Sequence, residues 1–225
     1  QEEARRATAF AEEFDATLGL TRDDDRPLPR ERVSALLAAT PNAESVLGSA
    51  VREVLGLTRE DLSDEAAVGL VLDPARNSLL GESMNLATLS KISRAGTHVH
   101  YTFRKKLSHT ADSQDQRHRM TPGSRPLLAR QILGEPDVVV PRLIELAAES
   151  GDAGAKAAAE RFHDSIEQTW KAYWSLREAG VPSEFAGYVL PNAQAVRFTE
   201  SGDLLAFRHK LEMRLCFNAQ EEIFR

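Results

Sequence analysis

At 225 residues, with 42% hydrophobic and 28% charged side chains, the chain is long enough for one sizeable core or two small ones and has an ordinary globular composition. Its net charge of −6 argues against nonspecific nucleic-acid or membrane-surface binding, both of which rely on a positive field. A single cysteine, Cys216, excludes an internal disulfide framework, no apolar run approaches the ~20 residues of a membrane helix, and the charged start QEEARRATAF has no secretory core, so a cytoplasmic protein is expected.

Glu2 to Leu18 carries Ala4, Ala7, Ala11, Phe14 and Leu18 at three- and four-residue spacing, which predicts a helix. Thr21 to Pro29, rich in Asp, Arg and Pro, reads as a loop. Arg30 to Ala39 and Glu44 to Leu57 read as two further helices, the second with Val46, Val51 and Leu55 on one stripe. Thr58 and Ser63 are candidate N-caps for the segment after them. Residues 1–80 are therefore expected to form a mostly helical N-terminal section whose stripes serve packing.

From Thr97 to Phe103 the pattern alternates, with Val99, Tyr101 and Phe103 on one face and His98, His100 and Thr102 on the other, which predicts a strand. Pro136 and Pro141 bracket Val138-Val139-Val140, with a helix after them. Ala153 to Ala179 reads as the longest helix, its core face lined by Phe162, Ile166, Trp170 and Tyr173 and its end set by Gly180 and Pro182. Val196 and Phe198 mark a short strand, Ser201-Gly202 reads as a turn, and Asp203 is placed to cap a final helix from Leu204. On that helix Phe207, Leu211, Arg214 and Asn218 fall on one side. An arginine on an apolar stripe is costly unless it meets an anion or a carboxylate, so Arg214 is expected to do so.

Ser108 to Pro126 sets polar and cationic residues where a core segment would set apolar ones. Arg117, His118 and Arg119 are succeeded by a Pro-Gly turn that presents Ser124 and Arg125, so donors from two short segments can converge on one anion. Guanidinium forks match phosphate, and the N–H groups of a glycine turn add to them. Asp112 and Asp115 flank this run; pairing with Arg104, Lys105 or Arg117 is favoured over an acid–base role. His98 and His100 form an H-x-H pair, yet no cysteine or carboxylate stands at a recognised ligand spacing, so no metal site is assigned. Cys216, between Leu215 and Phe217, reads as a buried inert thiol. A nucleic-acid module built on Arg104, Lys105, Lys106, Arg117 and Arg119 lacks an interleaved aromatic platform.

Gln114 before Arg117-His118-Arg119, the Ser124-Arg125 pair after it, and Arg214 with Asn218-Ala219-Gln220 and Glu222-Ile223 near the C-terminus together resemble the flavin-dependent thymidylate synthases. A second block, Gly180-Val181, Glu184, Ala186 and Leu190-Pro191, is similar to that family's Gly-Val…Glu…Ala-Arg…Leu-Pro segment. The resemblance is read over about Thr97 to Arg225, with none seen before about Leu80.

It implies an α/β (α+β) domain over residues 81–225, with a small antiparallel sheet against long helices, assembled as a homo-oligomer, a tetramer in the family, with sites between subunits. It also implies FAD as cofactor, NADPH and methylenetetrahydrofolate as co-substrates, and deoxyuridylate (dUMP) as the nucleotide methylated to dTMP. On this reading Arg117, His118 and Arg119 contact the flavin. Gln114, Arg117, Ser124, Arg125 and Arg214 hold the nucleotide. Arg214 is the catalytic arginine that favours ionisation of the pyrimidine, since a fixed positive charge stabilises the developing anion.

The chain also departs from the family pattern. The loop after Arg119 is shorter and has no Glu, Gly187 stands where the family has a phosphate-gripping Arg, and Ile92 and Thr97 replace a His and a Glu. Asp203 and Leu205 replace an Asn-x-Arg, and Asn218 replaces a His. Loss of one phosphate arginine costs roughly 1.5–3 kcal/mol. The alternative reading is therefore a noncatalytic relative that keeps the fold for assembly or nucleotide binding, with Arg208 or Lys210 as candidate substitute cations.

Overall fold

The structure, a computed structural model, describes residues 1–19, 33–81 and 90–224. The loop read at Thr21 to Pro29 lies outside the described residues. Helix α1 spans Glu2–Leu18 as its apolar spacing requires, and Gly19 closes it in the left-handed conformation. The next element corrects the sequence reading. Ser34–Ala39, read as the end of a helix, is strand β1. Its Ala and Leu are strong helix formers, but pairing with a neighbouring strand overrides that local preference.

Helices α2 (Ala43–Leu55) and α3 (Asp64–Leu72) come next and pack against each other, and Ser63 caps α3 by accepting from the Ala66 N–H at 3.1 Å. Such a cap contributes about 1 kcal/mol. Leu47 and Val51 of α2, Ala67 and Val71 of α3, and Ala95 and Val99 form one apolar core. Thr97 and His98 belong to a short 3-10 segment, so the expected strand starts later and runs further, as β2 (His100–Ser108).

Helix α4 (His109–Asp115) continues directly from β2, capped by Ser108. After α5 (Arg142–Glu149) comes the 26-residue α6 (Ala153–Glu178), whose Ile166, Trp170 and Tyr173 pack on Ile132 and Ala186 of the short α7 (Ser183–Ala186). Gly180, at φ 86°, ends the α6 run, as its sequence position suggests. Strand β3 (Ala195–Asp203) is longer than expected and absorbs Ser201-Gly202, which pair with Thr102 and Tyr101 instead of turning the chain. A side chain at Gly202 would sit 3.0 Å from Thr121 Cγ2 and 3.2 Å from the Phe207 ring, so close packing explains this glycine. Helix α8 (Leu204–Arg214) is capped by Asp203, which accepts the Ala206 N–H at 2.7 Å, and ends before Asn218; α9 is Glu221–Phe224.

The sheet has the order β1-β2-β3, all antiparallel, so strand β1 joins residues ahead of position 80 to those after it. Gly123 forms a bridge to Glu200 on the free side of β3, and the β1–β2 register shifts between Leu36 and Ala38. Because side chains alternate along a strand, Lys106 and Arg197 lie on one face, while Lys105, Phe198 and Glu200 lie on the other. Helix α1 covers the first face. There the buried Arg197 forks onto Asp15 with two 3.0 Å bonds and reaches Asp137 at 2.5 Å, while Lys106 joins Asp137 at 3.1 Å. Among the described residues no helix is long and apolar enough to cross a membrane.

Candidate functional site

The second face of the sheet carries the polar run singled out in the sequence. Asp112 and Asp115, three residues apart on α4, both turn inward and are buried. Asp115 meets Lys105 at 3.0 Å, Lys210 at 2.8 Å and Arg125 at 3.0 Å, and Asp112 takes the Arg125 Nε–H at 2.7 Å. Glu200 accepts from Lys105 at 3.2 Å, from Thr121 at 3.0 Å and from Lys210.

Three cations thus face three carboxylates within one buried cluster, and the strands, α4, α8 and the 116–125 loop are tied together by it. Burial pushes the Asp115 carboxyl up, but Lys105 and Lys210 outweigh this and hold it below its ordinary value. Burial also lowers the Lys210 ammonium, with Lys105 adding repulsion and Asp115 and Glu200 opposing.

Arg125 is the anchor of this loop. Its guanidinium is engaged by Asp112 and Asp115 and stacks 4.4 Å from the Phe198 ring centroid. The Ser124 N–H donates to the Thr199 carbonyl at 2.7 Å. Arg117 and Arg119 stand on the turn after α4. The favoured pairing of Asp112 and Asp115 is found, with Arg125 and Lys210 among the partners and Arg117 not.

A different set of residues converges at the C-terminal end of α4. Arg214 Nη2 donates to the Gln114 carbonyl at 3.0 Å, and the Gln114 side chain donates to the Asn218 carbonyl at 3.1 Å and accepts the Gln220 N–H at 2.8 Å. Arg214, expected to meet an anion or carboxylate, meets a backbone carbonyl here. Its Nε is buried without a partner, and so is His118 Nε2. His118 stands edge-on to His209 at 6.2 Å. Burial, then the positive charges of Arg214 and Lys210, lower its pKa to about 4, so its imidazole is neutral at pH 7.

The other end of α4 receives two more segments. Glu222 accepts the Ser108 N–H at 2.6 Å and its hydroxyl at 2.5 Å. His109 donates its backbone N–H to the Gln194 carbonyl at 2.8 Å, and beside it a cavity of about 560 Å3 is lined by His109, Leu127, Glu184, Gly187, Tyr188 and Pro191, among others. Among the described residues no lysine or arginine lines it. Helix α4 is therefore the hub at which all three sequence blocks meet, although Arg117, Arg125 and Arg214 each do something different there.

Sequence reasoning names Lys105 as a candidate partner of Asp112 and Asp115 but misses Thr121 and Glu200 as members of this cluster. The available signal is a lysine between Phe103 and Leu107 on one strand and a glutamate two residues past Phe198 on the next, each on the apolar side of the alternation. Lys210, a candidate substitute cation, is committed to Asp115 and Glu200. Cys216 is exposed, contrary to the buried thiol read from its apolar neighbours, because α8 stops at Arg214 and no described element covers the turn. His98 and His100 flank the buried Val99, and no group of three or more His, Cys, Asp or Glu among the described residues is placed to hold a metal ion.

Comparison with known proteins places these features in a family. The family described as thymidylate synthase complementing protein matches residues 35–225, starting at β1 and so well ahead of the point where the motifs of the resemblance begin. A flavin-dependent thymidylate synthase of Haloarcula marismortui is 40% identical over 65 residues, which is 29% of this chain and 26% of that relative's length.

Proposed function

This chain belongs to the thymidylate synthase complementing protein family, and from that premise we propose that it is a flavin-dependent thymidylate synthase, methylating deoxyuridylate to thymidylate with methylenetetrahydrofolate and reduced FAD. The observation that carries the reading is the corner at the end of α4. Gln114, His118, Arg214 and Gln220, drawn from segments about a hundred residues apart in the chain, meet there and leave two buried polar atoms without partners. A buried polar atom without a partner costs about 1–3 kcal/mol, and a ligand ring bearing carbonyl and N–H groups relieves that cost.

The residues fit a flavin and a pyrimidine in this chemical sense. His118, neutral and with Nε2 free, suits an uncharged hydrogen bond to a ring. Arg214 supplies a fixed charge beside an ionising pyrimidine. Arg117 and Arg119, on the turn after α4, are the cations left to reach phosphates. Bound flavin supplies the reducing equivalents, drawn from NADPH. Residues 81–225 carry the chemistry, with assembly as a homotetramer, and residues 1–80 contribute β1 to the sheet and helices to its flank.

A second reading, a noncatalytic relative that binds a nucleotide or serves assembly, draws on two observations. Arg125 is held by internal carboxylates, and Gly187 puts no cation in a cavity lined without lysine or arginine among the described residues.

The visible absorption spectrum of the purified protein with added FAD separates these outcomes. Flavin uptake with NADPH- and folate-dependent conversion of deoxyuridylate supports the enzyme. Flavin uptake without conversion supports the second reading, and a colourless protein that rejects FAD overturns the first.

A further inference from the structure

We propose that the cavity of about 870 Å3 between α1 and α6 binds an aromatic carboxylate. It shares no lining residue with the corner at Gln114, His118 and Arg214, and its α1 wall lies ahead of residue 35, where the family match begins. Its volume lies in the range of small-molecule pockets, ~300–1,000 Å3.

Three features select the ligand. Phe10, Tyr173 and Trp174 line the cavity with ring surface, and the last two meet edge to face at 5.0 Å. The Trp174 Nε1–H is buried without an acceptor, a donor unmet in an aromatic wall. Two guanidiniums from separate elements converge on one carboxylate: Arg130 lies 2.9 Å and Arg177 3.9 Å from the two oxygens of Glu3.

The Glu3 side chain is 66% exposed and makes no other ion pair among the described residues. Its carboxylate stands where a ligand's carboxylate would stand. Exchanging Glu3 for that group keeps both arginines paired while the ring fills the apolar space. Glu2 is already engaged by Arg6 at 3.0 Å, which leaves Glu178 as the lining carboxylate that opposes an incoming anion.

The test is a titration of the full chain with 1-naphthoate and with its uncharged analogue 1-naphthamide, read by tryptophan fluorescence and calorimetry. Naphthoate is expected to bind saturably, to perturb the tryptophan emission, and to bind about tenfold more tightly than the amide, as a charge-assisted pair provides. Arg130→Gln should erase that preference. Glu3→Gln, which removes the competing carboxylate, should tighten naphthoate binding about threefold or more, a modest gain because the displaced pair is an exposed one. Both side chains are about two-thirds exposed, so neither change threatens the fold. Equal affinity for the two probes overturns the proposal, as does naphthoate binding that both substitutions leave unchanged, or no saturable binding at all.

Discussion

The two faces of the sheet each bury a cluster of opposite charges, and they are finished differently. Beneath α1, Arg197 is clamped on all sides: its guanidinium is held by Asp15 and Asp137, and its backbone N–H and C=O by the Gln131 side chain at 2.8 and 2.9 Å. Under the 116–125 loop the Asp115–Glu200 cluster is just as dense, but at its margin His118 Nε2 and Arg214 Nε lack partners. The network around Arg197 is closed and serves the fold, although Arg104 Nε on the same face, beside Phe14 of α1, is also buried without a partner. A network left open at one edge, on the face where three distant segments meet, is where a ligand has something to complete.

Removing the centre of each cluster sharpens this contrast. Arg197→Ala leaves Asp15 and Asp137 facing Lys106 alone, at 3.8 and 3.1 Å, with the two-bond fork onto Asp15 gone, and is expected to cost about 3–5 kcal/mol in chemical denaturation. Lys210→Met should cost less, about 2 kcal/mol, because Lys105 and Arg125 still face Asp115 and Lys105 still faces Glu200. Equal losses in the two variants would break the distinction between a closed and a shared network.

Arg214→Ala has the opposite balance of effects. It should change stability by only about 1 kcal/mol, since one hydrogen bond to a carbonyl is lost, while the proposed deoxyuridylate binding disappears and the proposed oligomer persists. Unchanged nucleotide affinity in equilibrium dialysis removes Arg214 from the site.

A further contrast concerns pH. The folded chain holds the His118 pKa near 4, below the ordinary 6.5, so the unfolded chain takes up this proton first. Its contribution to stability is present above pH 6.5 and is lost as pH falls toward 4. Asp115, a carboxylate whose pKa is also lowered in the fold, keeps its contribution above its ordinary 3.8 and loses it only below that value. Thermal melts of His118→Asn should therefore fall less between pH 7 and pH 4 than those of the unaltered chain, with no difference in slope below that window.

Much of this architecture is legible in local pattern. The α1 and α6 stripes, the Asp203 cap and the three blocks of the family resemblance depend on spacing within a few residues, and the structure carries them at those positions. The remainder is decided by distant partners. Ser34–Ala39 becomes a strand because β2 is there to pair with it, and Ser201-Gly202 stays extended because Thr102 and Tyr101 hold it. Likewise the destination of Arg125 depends on two aspartates that α4 turns inward, although their spacing of three gives notice that they share a helix face.

The register shift in β1 bears on how this protein behaves when crowded. Among the described residues the sheet has three strands and so two margins, each a potential template for a foreign extended chain. One is occupied by the protein's own loop, through the Ser124 and Ser201 contacts along β3. The other exposes Leu36 and Leu37, an adhesive pair, but the break between Leu36 and Ala38 bends that border out of a flat ladder. Amyloid-like stacking is thus discouraged by backbone geometry at the very place where the side chains alone would invite it.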